Sequence, residues 1–282
     1  MLTRFDPWRS KLCTCPPKLT FNPYTGCDHA CVYCYASSYI PKFFVCRPKK
    51  DVLSRLKREA TRLNGEMISI SNSSDPYPTI EVEKRLTRQC LEILSRSNCK
   101  IQIITKSDLL VRDVDILRKA PSTVALTITT DDDSLTRVLE PNAPPPSKRL
   151  KAVEKLIEVG VPVSVRIDPV IPYVNENPES LVKKLVSMGV RHVTFSTYKV
   201  KVDNWQRLSV ALPEIARKLK PLYFEKGERI GGYLYLPRDL RLRLIENLAL
   251  IAKKYGVKFG VCREGFRNLN TAICDGSWLL QA

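Results

Sequence analysis

Short apolar, β-branched runs recur along the chain, and longer stretches separate them in which apolar residues return every three or four positions. The runs KLTFN (18–22), MISIS (67–71), IQIITK (101–106), VALTIT (124–129), VPVSVRI (161–167) and HVTFS (192–196) predict strands. The intervening stretches 51–63, 80–97, 108–119, 147–159, 178–188 and 203–218 predict amphipathic helices. Strand–helix alternation at this spacing implies parallel strands with helical crossovers, hence an α/β fold. Six such units fit an open, partial barrel or a doubly wound open sheet, and periodicity does not choose between them. Beyond residue 220, GERIGGYLYLPRD reads as a loop or hairpin, followed by a helix near 237–255 and a strand near 257–261. The simplest division is an N-terminal extension (1–17), a core (18–220) and a C-terminal extension (221–282).

Composition narrows the function classes. With 282 residues and 44% hydrophobic content the chain is long enough for one large α/β domain. It has no run of eighteen apolar residues, and MLTRFDPWRS lacks the apolar centre of a signal peptide. The expectation is a cytoplasmic protein with no membrane partner. Forty-six basic against twenty-nine acidic residues give a net charge of +17, a field suited to a polyanion such as a nucleic acid or a nucleotide-like substrate. A thermophile's bias towards charge would raise Glu as well. The basic residues cluster at Arg47-Pro48-Lys49-Lys50, Lys148-Arg149, Lys199 with Lys201, Arg217 with Lys218 and Lys220, and Arg238 with Arg241 and Arg243. Phe43, Phe44, Tyr198 and Trp205 lie beside two of them, the combination that a splayed base and its phosphates require.

The sharpest chemistry lies in TGCDHACVYCYA, where Cys27, Cys31 and Cys34 are spaced C-x3-C-x2-C. Three such thiolates can hold three irons of a [4Fe–4S] cluster and leave the fourth without a protein ligand, which favours substrate or cofactor binding. A zinc site is the alternative, although tetrahedral zinc normally takes cysteines in pairs. Tyr33 and Tyr35 flank the third cysteine. This C-x3-C-x-aromatic-C segment closely resembles the signature of the radical S-adenosylmethionine (SAM) superfamily. That resemblance implies a partial (β/α)6 barrel of TIM type and an open iron that chelates SAM. It also implies one-electron cleavage of SAM to a 5′-deoxyadenosyl radical, with hydrogen abstraction from the substrate and a ferredoxin- or flavodoxin-like reductant. The chemistry resides in the cofactor, so two histidines in the whole chain are no objection.

Further segments resemble the spore photoproduct lyase-like branch of that superfamily, whose members are often labelled DNA-repair photolyases. They are FNPYTGCDHACVYCYA, SNSSDPYPTIE, ITKSDLLVRDVDIL and LEPNAPPPSKRLKAVEKLIEVGVPVSVRIDPVIP, spanning roughly residues 18–185. The resemblance implies that Ser73, Ser74 and Asp75 meet the amino-acid end of SAM, although Ser-Ser-Asp-Pro is also a good turn and helix start. It gives Lys106, ending the third strand, a reason to reach the SAM carboxylate. Thr127 and Thr129, at the end of the fourth strand, are candidates to offer hydroxyls to the sugar or methionine. Glu140 and Arg149 bracket a proline-rich stretch and are expected to pin it by a salt bridge. Arg166 and Asp168 end the fifth strand, and Asp168 is the candidate catalytic residue. Spore photoproduct lyase itself uses a cysteine just after its second strand, whereas SNSSDPY has none, so the lyase reaction does not carry over.

Cys13 and Cys15, before the first strand, and Cys262 and Cys274, near the C-terminus, are candidates for a second iron–sulfur cluster or a zinc site, with Cys46 as a possible replacement. Cys90 and Cys99 are expected to be structural. The leading expectation is a radical SAM enzyme that modifies or repairs a nucleic acid or nucleotide. The alternatives are modification of a peptide or small metabolite, and a nucleic-acid-binding iron–sulfur or zinc protein without SAM turnover.

Overall fold

In the computed structural model, which describes residues 1–5, 10 and 12–280, the apolar runs become strands of one sheet. The chain starts with β1 (Thr3–Arg4), β2 (Leu19–Phe21) and two short strands, β3 (Tyr24–Thr25) and β4 (Arg47–Pro48). Next come β5 (Glu66–Ile70), β6 (Cys99–Thr105), β7 (Ser122–Thr127), β8 (Val163–Val170) and β9 (His192–Thr197). A hairpin of β10 (Glu228–Ile230) and β11 (Tyr233–Tyr235) precedes β12 (Lys258–Val261). The large sheet runs β1-β2-β5-β6-β7-β8-β9-β12. Every pair from β2 to β12 is parallel, and β1 adds antiparallel at the edge. A doubly wound sheet reverses its strand order at a switch point. Here the order never reverses, so the sheet is wound one way, as in a barrel left open. The last parallel strand comes from beyond residue 220, and the C-terminal segment therefore continues the same sheet.

The helices are α1 (Val52–Ala60), α2 (Glu81–Lys84), α3 (Leu86–Leu94), α4 (Val114–Leu117), α5 (Asp133–Leu139), α6 (Pro146–Glu158), α7 (Glu179–Ser187), α8 (Val202–Ala211), α9 (Pro213–Phe224) and α10 (Arg238–Lys254). None is long and apolar enough to cross a membrane, among the described residues. Three of the expected helices are divided. The 80–97 stretch breaks at Arg85, which is left-handed. The buried carboxylate of Glu81 accepts from the backbone N–H of Thr87 (3.0 Å) and Arg88 (3.3 Å) and so caps a new helix. The 203–218 stretch breaks at Pro213, which has no N–H to continue α8. The 108–119 stretch opens as a 3-10 helix (Asp108–Asp113), with Ser107 capping Leu109.

Alternation along the strands sorts their side chains into two environments. Ile68, Ile70, Ile101, Ile103, Val124, Leu126, Val165, Ile167, Val193 and Phe195 are wholly buried in the main core. Each such side chain is worth about 1.5–3 kcal/mol of burial. The opposite parity is polar and turns inward: Ser69, Gln102, Lys106, Thr127, Arg166, Asp168 and Ser196. The last five line a cavity. Ser69 and Lys18 both donate to Gln102 Oε1 at 3.0 Å, and Lys18 also reaches Asp275 Oδ2 at 2.7 Å.

Inside the same sheet His192 Nδ1 lies 2.7 Å from Ser164 Oγ. Burial pushes its imidazole pKa down from 6.5 to about 4. The unfolded chain therefore takes up a proton between these values that the folded chain refuses. Stability is full above pH 6.5 and falls as pH drops towards 4, by on the order of 3 kcal/mol. Urea titrations of the metal-free protein at pH 7 and pH 4.5 are expected to show this loss, and His192→Gln to reduce it.

Candidate active site and cluster loop

The three-cysteine loop is closed at its base by the antiparallel pair β3–β4. Gly26 begins it with φ +84°, and any Cβ there would lie 2.4 Å from the Phe43 carbonyl oxygen. Only glycine lets the chain pass so close, and the Cys27 N–H then donates to that carbonyl at 2.8 Å. Other elements hold the loop's main chain: Val32 N–H donates to Leu139 O (2.9 Å), Asn204 Nδ2 to Tyr33 O (3.1 Å) and Arg207 Nη2 to Cys34 O (2.6 Å). The thiols of Cys27, Cys31 and Cys34 line one cavity. Burial raises all three pKa values, that of Cys31 to about 12. Without metal they are protonated, and metal binding must displace those protons.

That cavity, of about 240 Å³, also takes in Tyr33, Tyr35, Ser73, Ser74, Asp75, Lys106, Thr127 and Asp168. Eleven of the twelve residues expected at the cluster and SAM site thus line one cavity, although they play different parts. Asp75 is an anchor: Oδ1 accepts from Thr105 Oγ1 (2.6 Å) and Tyr77 N–H (2.9 Å), and Oδ2 from Lys106 N–H (2.8 Å). His29 Nδ1 lies 3.6 Å from the same carboxylate. Ser74 Oγ accepts from Gly26 N–H at 3.1 Å, tying this turn to the cluster loop. Ser73 Oγ accepts from Asn22 Nδ2 at 3.4 Å.

Lys106 differs from every other cation of the cavity that was read from the sequence. Its ammonium has no hydrogen-bond or ion-pair partner among the described residues and sits 5.5 Å from the centre of the Tyr33 ring. Burial opposes its charge, but Cys31 and Glu140 nearby outweigh that and raise its pKa. Arg166 Nη2, by contrast, donates to Asp168 Oδ2 at 2.6 Å. Burial raises the Asp168 pKa, but Arg166 and Lys199 more than offset it and keep the carboxyl ionised.

Behind the loop, the expected Glu140–Arg149 ion pair is present and fully buried, 0% exposed on both sides. Arg149 also donates to Pro144 O (2.7 Å) and Thr127 O (3.1 Å). Glu140 receives the Tyr33 hydroxyl and, at 2.9 Å, that of Thr129. Thr129 is therefore outside the cavity and faces this ion pair, a correction to its expected place beside a ligand.

The basic clusters fare worse as surface patches. Lys199 is buried, donating to Glu264 Oε1 and Ser196 Oγ, both at 2.6 Å. Arg241 is buried against Glu264 O (2.7 Å) and Leu236 O (3.0 Å). Phe43 and Tyr198 belong to the interior. Sequence reasoning missed Lys18 and Asp275, which line the cavity together with Arg263, and Glu264 pairs with Lys199, which does too. Their partners lie up to 257 residues away, so no local pattern marks them.

Cys13, Cys15 and Cys262 share the cavity wall. Cys15 and Cys274 lie Sγ to Sγ at 3.7 Å. Cys46 lies in the cluster loop just before β4, and burial, with the charges of Asp28 and Asp75, raises its pKa. Cys90 and Cys99 are core residues.

The family model described as "Radical SAM superfamily" matches residues 21–185. An uncharacterized protein of Mycobacterium tuberculosis (strain ATCC 25618 / H37Rv), Rv2578c, is 28% identical over 263 residues, covering 85% of this chain and 75% of that one. Spore photoproduct lyase, solved with dinucleoside spore photoproduct, superposes with a TM-score of 0.68 at 14% identity, covering 93% of this chain and 78% of that one. Streptococcus suis SuiB, solved bound to its precursor peptide SuiA, superposes with a TM-score of 0.58 at 16% identity, covering 86% of this chain and 48% of that one. At such identities the two structural likenesses show the fold alone.

Proposed function

The chain belongs to the radical SAM superfamily, and on that premise we propose that it is an enzyme that removes a hydrogen atom from a nucleic acid or nucleotide. Membership implies a [4Fe–4S] cluster and SAM. Cys27, Cys31 and Cys34 are the residues that would hold the cluster. They fit it: two buried thiols and one half-buried thiol face one cavity from a loop whose main chain is anchored on its neighbours. When bound, the cluster supplies one electron, received from a ferredoxin- or flavodoxin-like protein, that splits the SAM sulfonium.

The observation that carries the reading is the unpartnered Lys106 ammonium facing the same cavity as the three thiols. In our reading it receives the SAM carboxylate, while Tyr33 and Tyr35 wall the site. The Ser73 and Ser74 hydroxyls orient the amino-acid end, and Thr127 serves the methionine or sugar. Asp75 acts through position, fixing the end of β6 and so the direction of Lys106. Asp168, held ionised by Arg166, is placed to accept a hydrogen bond from the substrate. Buried side chains form most of the cavity wall, which limits the access of water to a radical reaction.

A nucleic-acid or nucleotide substrate is favoured by the net charge of +17. A likeness in fold to a lyase solved with a dinucleoside and to an enzyme solved with a peptide does not choose between those substrates. Two measurements test the reading. Lys106→Met is expected to weaken SAM binding about 10- to 100-fold, the worth of one charge-assisted hydrogen bond, with iron content unchanged. Unchanged SAM affinity would remove Lys106 from the site. RNA and DNA oligomers should bind with affinity that falls steeply with salt and should accelerate 5′-deoxyadenosine formation. Acceleration by peptides instead would move the proposal to the other substrate class.

A further inference from the structure

Four cysteines remain outside the cluster loop and the apolar core, and the fold gathers them from opposite ends of the chain. We propose that Cys13, Cys15, Cys262 and Cys274 form a second metal centre, a four-thiolate site for one zinc or iron ion or an iron–sulfur cluster.

The geometry comes first. Cys15 and Cys274, 259 residues apart, meet Sγ to Sγ at 3.7 Å. A tetrahedral ion about 2.3 Å from each sulfur holds its sulfurs about 3.8 Å apart. Cys13, Cys15 and Cys262 line one cavity wall, with Cys13 next to Cys15 and Cys262 next to Cys274, so all four stand in one group. Nothing local produces this meeting: it requires the segment before β2 and the segment after β12 to converge.

The cysteines are also held there. Any Cβ on Gly260 would lie 2.3 Å from Cys274 Cα, so β12 presses directly against the Cys274 main chain. Thr194 Oγ1 donates to Cys274 O at 2.7 Å. The Cys262 N–H donates to Phe195 O at 2.8 Å, and Ser196 Oγ donates to Cys262 O at 3.0 Å. On the other side Lys18 Nζ and Asp275 Oδ2, 2.7 Å apart, join the N-terminal segment to the C-terminal one. Around the sulfurs stand donors suited to thiolates. Thr14 Oγ1 lies 3.5 Å from Cys274 Sγ, and the Arg166 guanidinium reaches the Cys262 thiol. Four thiolates on a divalent ion carry a net charge of −2, and Arg166 and Lys18 stand near the sulfurs, each also paired with a carboxylate, Asp168 and Asp275.

Among the described residues, no three His, Cys, Asp or Glu side chains are already closed around a single point. That holds equally for Cys27, Cys31 and Cys34, whose cluster family membership implies. Two disulfides could take up the same four sulfurs, and the mass measurement below tells them from a metal.

The test starts from a Cys27→Ala, Cys31→Ala, Cys34→Ala variant, purified anaerobically, so that its outcome does not depend on the radical SAM site. It is loaded separately with zinc, with cobalt(II) and with iron plus sulfide, then desalted. Expected is retention of one zinc per chain or of about four irons with sulfide, which tells the two metals apart. The cobalt form should show the strong sulfur-to-metal charge-transfer absorption of a tetrahedral thiolate site. Adding Cys262→Ser and Cys274→Ser should abolish both. If that variant fails to fold, Cys13→Ser with Cys15→Ser, both outside the large sheet, should abolish metal retention with an unchanged circular dichroism spectrum. No stoichiometric metal in the triple variant, retention that survives these serine changes, or a 2 Da mass loss locating a Cys15–Cys274 disulfide would overturn the proposal.

Discussion

Replacing Cys27, Cys31 and Cys34 together by alanine is expected to abolish 5′-deoxyadenosine formation and to remove about four irons per chain, yet to cost the metal-free fold about 3 kcal/mol at most and leave it folded. The separation of the two effects follows from how the loop is held. Its contacts run through main-chain atoms, to Phe43, Leu139, Asn204 and Arg207, and survive truncation of the thiols. Each sulfur removed costs about 1 kcal/mol of lost burial at most. Iron and sulfide analysis, thermal unfolding of both metal-free proteins, and chromatography of SAM incubated with dithionite check the three statements. SAM cleavage persisting in the triple variant would remove these cysteines from the reaction.

Glu140→Ala should destabilise the protein by about 3–5 kcal/mol, the usual consequence of leaving one partner of a buried ion pair alone. Arg149 would keep its charge with 0% exposure and only the carbonyls of Pro144 and Thr127 to receive it. Tyr33 and Thr129 would each lose a hydrogen-bond acceptor. Since Tyr33 sits between Cys31 and Cys34, the damage should reach the loop, and iron retention should fall along with the urea midpoint. A Glu140→Leu, Arg149→Met double variant removes both charges and should recover most of the loss. A double variant as unstable as Glu140→Ala would refute the ion pair as the cause.

Much of the fold was legible because its signals are local. The six strand assignments lie within three residues of the observed ends, since short β-branched runs with one apolar parity, set between helical patterns, mark strands by local signals alone. The helix breaks were not legible: apolar periodicity runs on through Arg85, and only the Glu81 carboxylate, folded back on Thr87 and Arg88, ends one helix and starts the next. The cysteine spacing disclosed the cluster loop by itself. The inward parity of Lys106, Arg166 and Asp168 was readable from strand alternation once the strands were placed. The basic clusters misled because charge along a sequence does not reveal partners. Lys199 and Arg241 read as surface, yet both converge on Glu264, which lies in a segment without an identifying pattern. Thr129 has the parity of an inward residue but follows the end of β7, where the chain has already turned towards Glu140.

The two-residue ladder of β3 and β4 bears on how the enzyme matures. Zinc fingers meet their metal as an unfolded chain and fold around it, so binding and folding are one event. In this protein the base of the cysteine loop is zipped shut by Tyr24–Thr25 against Arg47–Pro48, and its interior is tethered to two neighbouring helices, α5 and α8. The loop's conformational entropy is thus lost when the polypeptide folds, before iron arrives. An assembly factor delivering iron and sulfide meets a finished socket, and the later transaction amounts to exchanging thiol protons for metal.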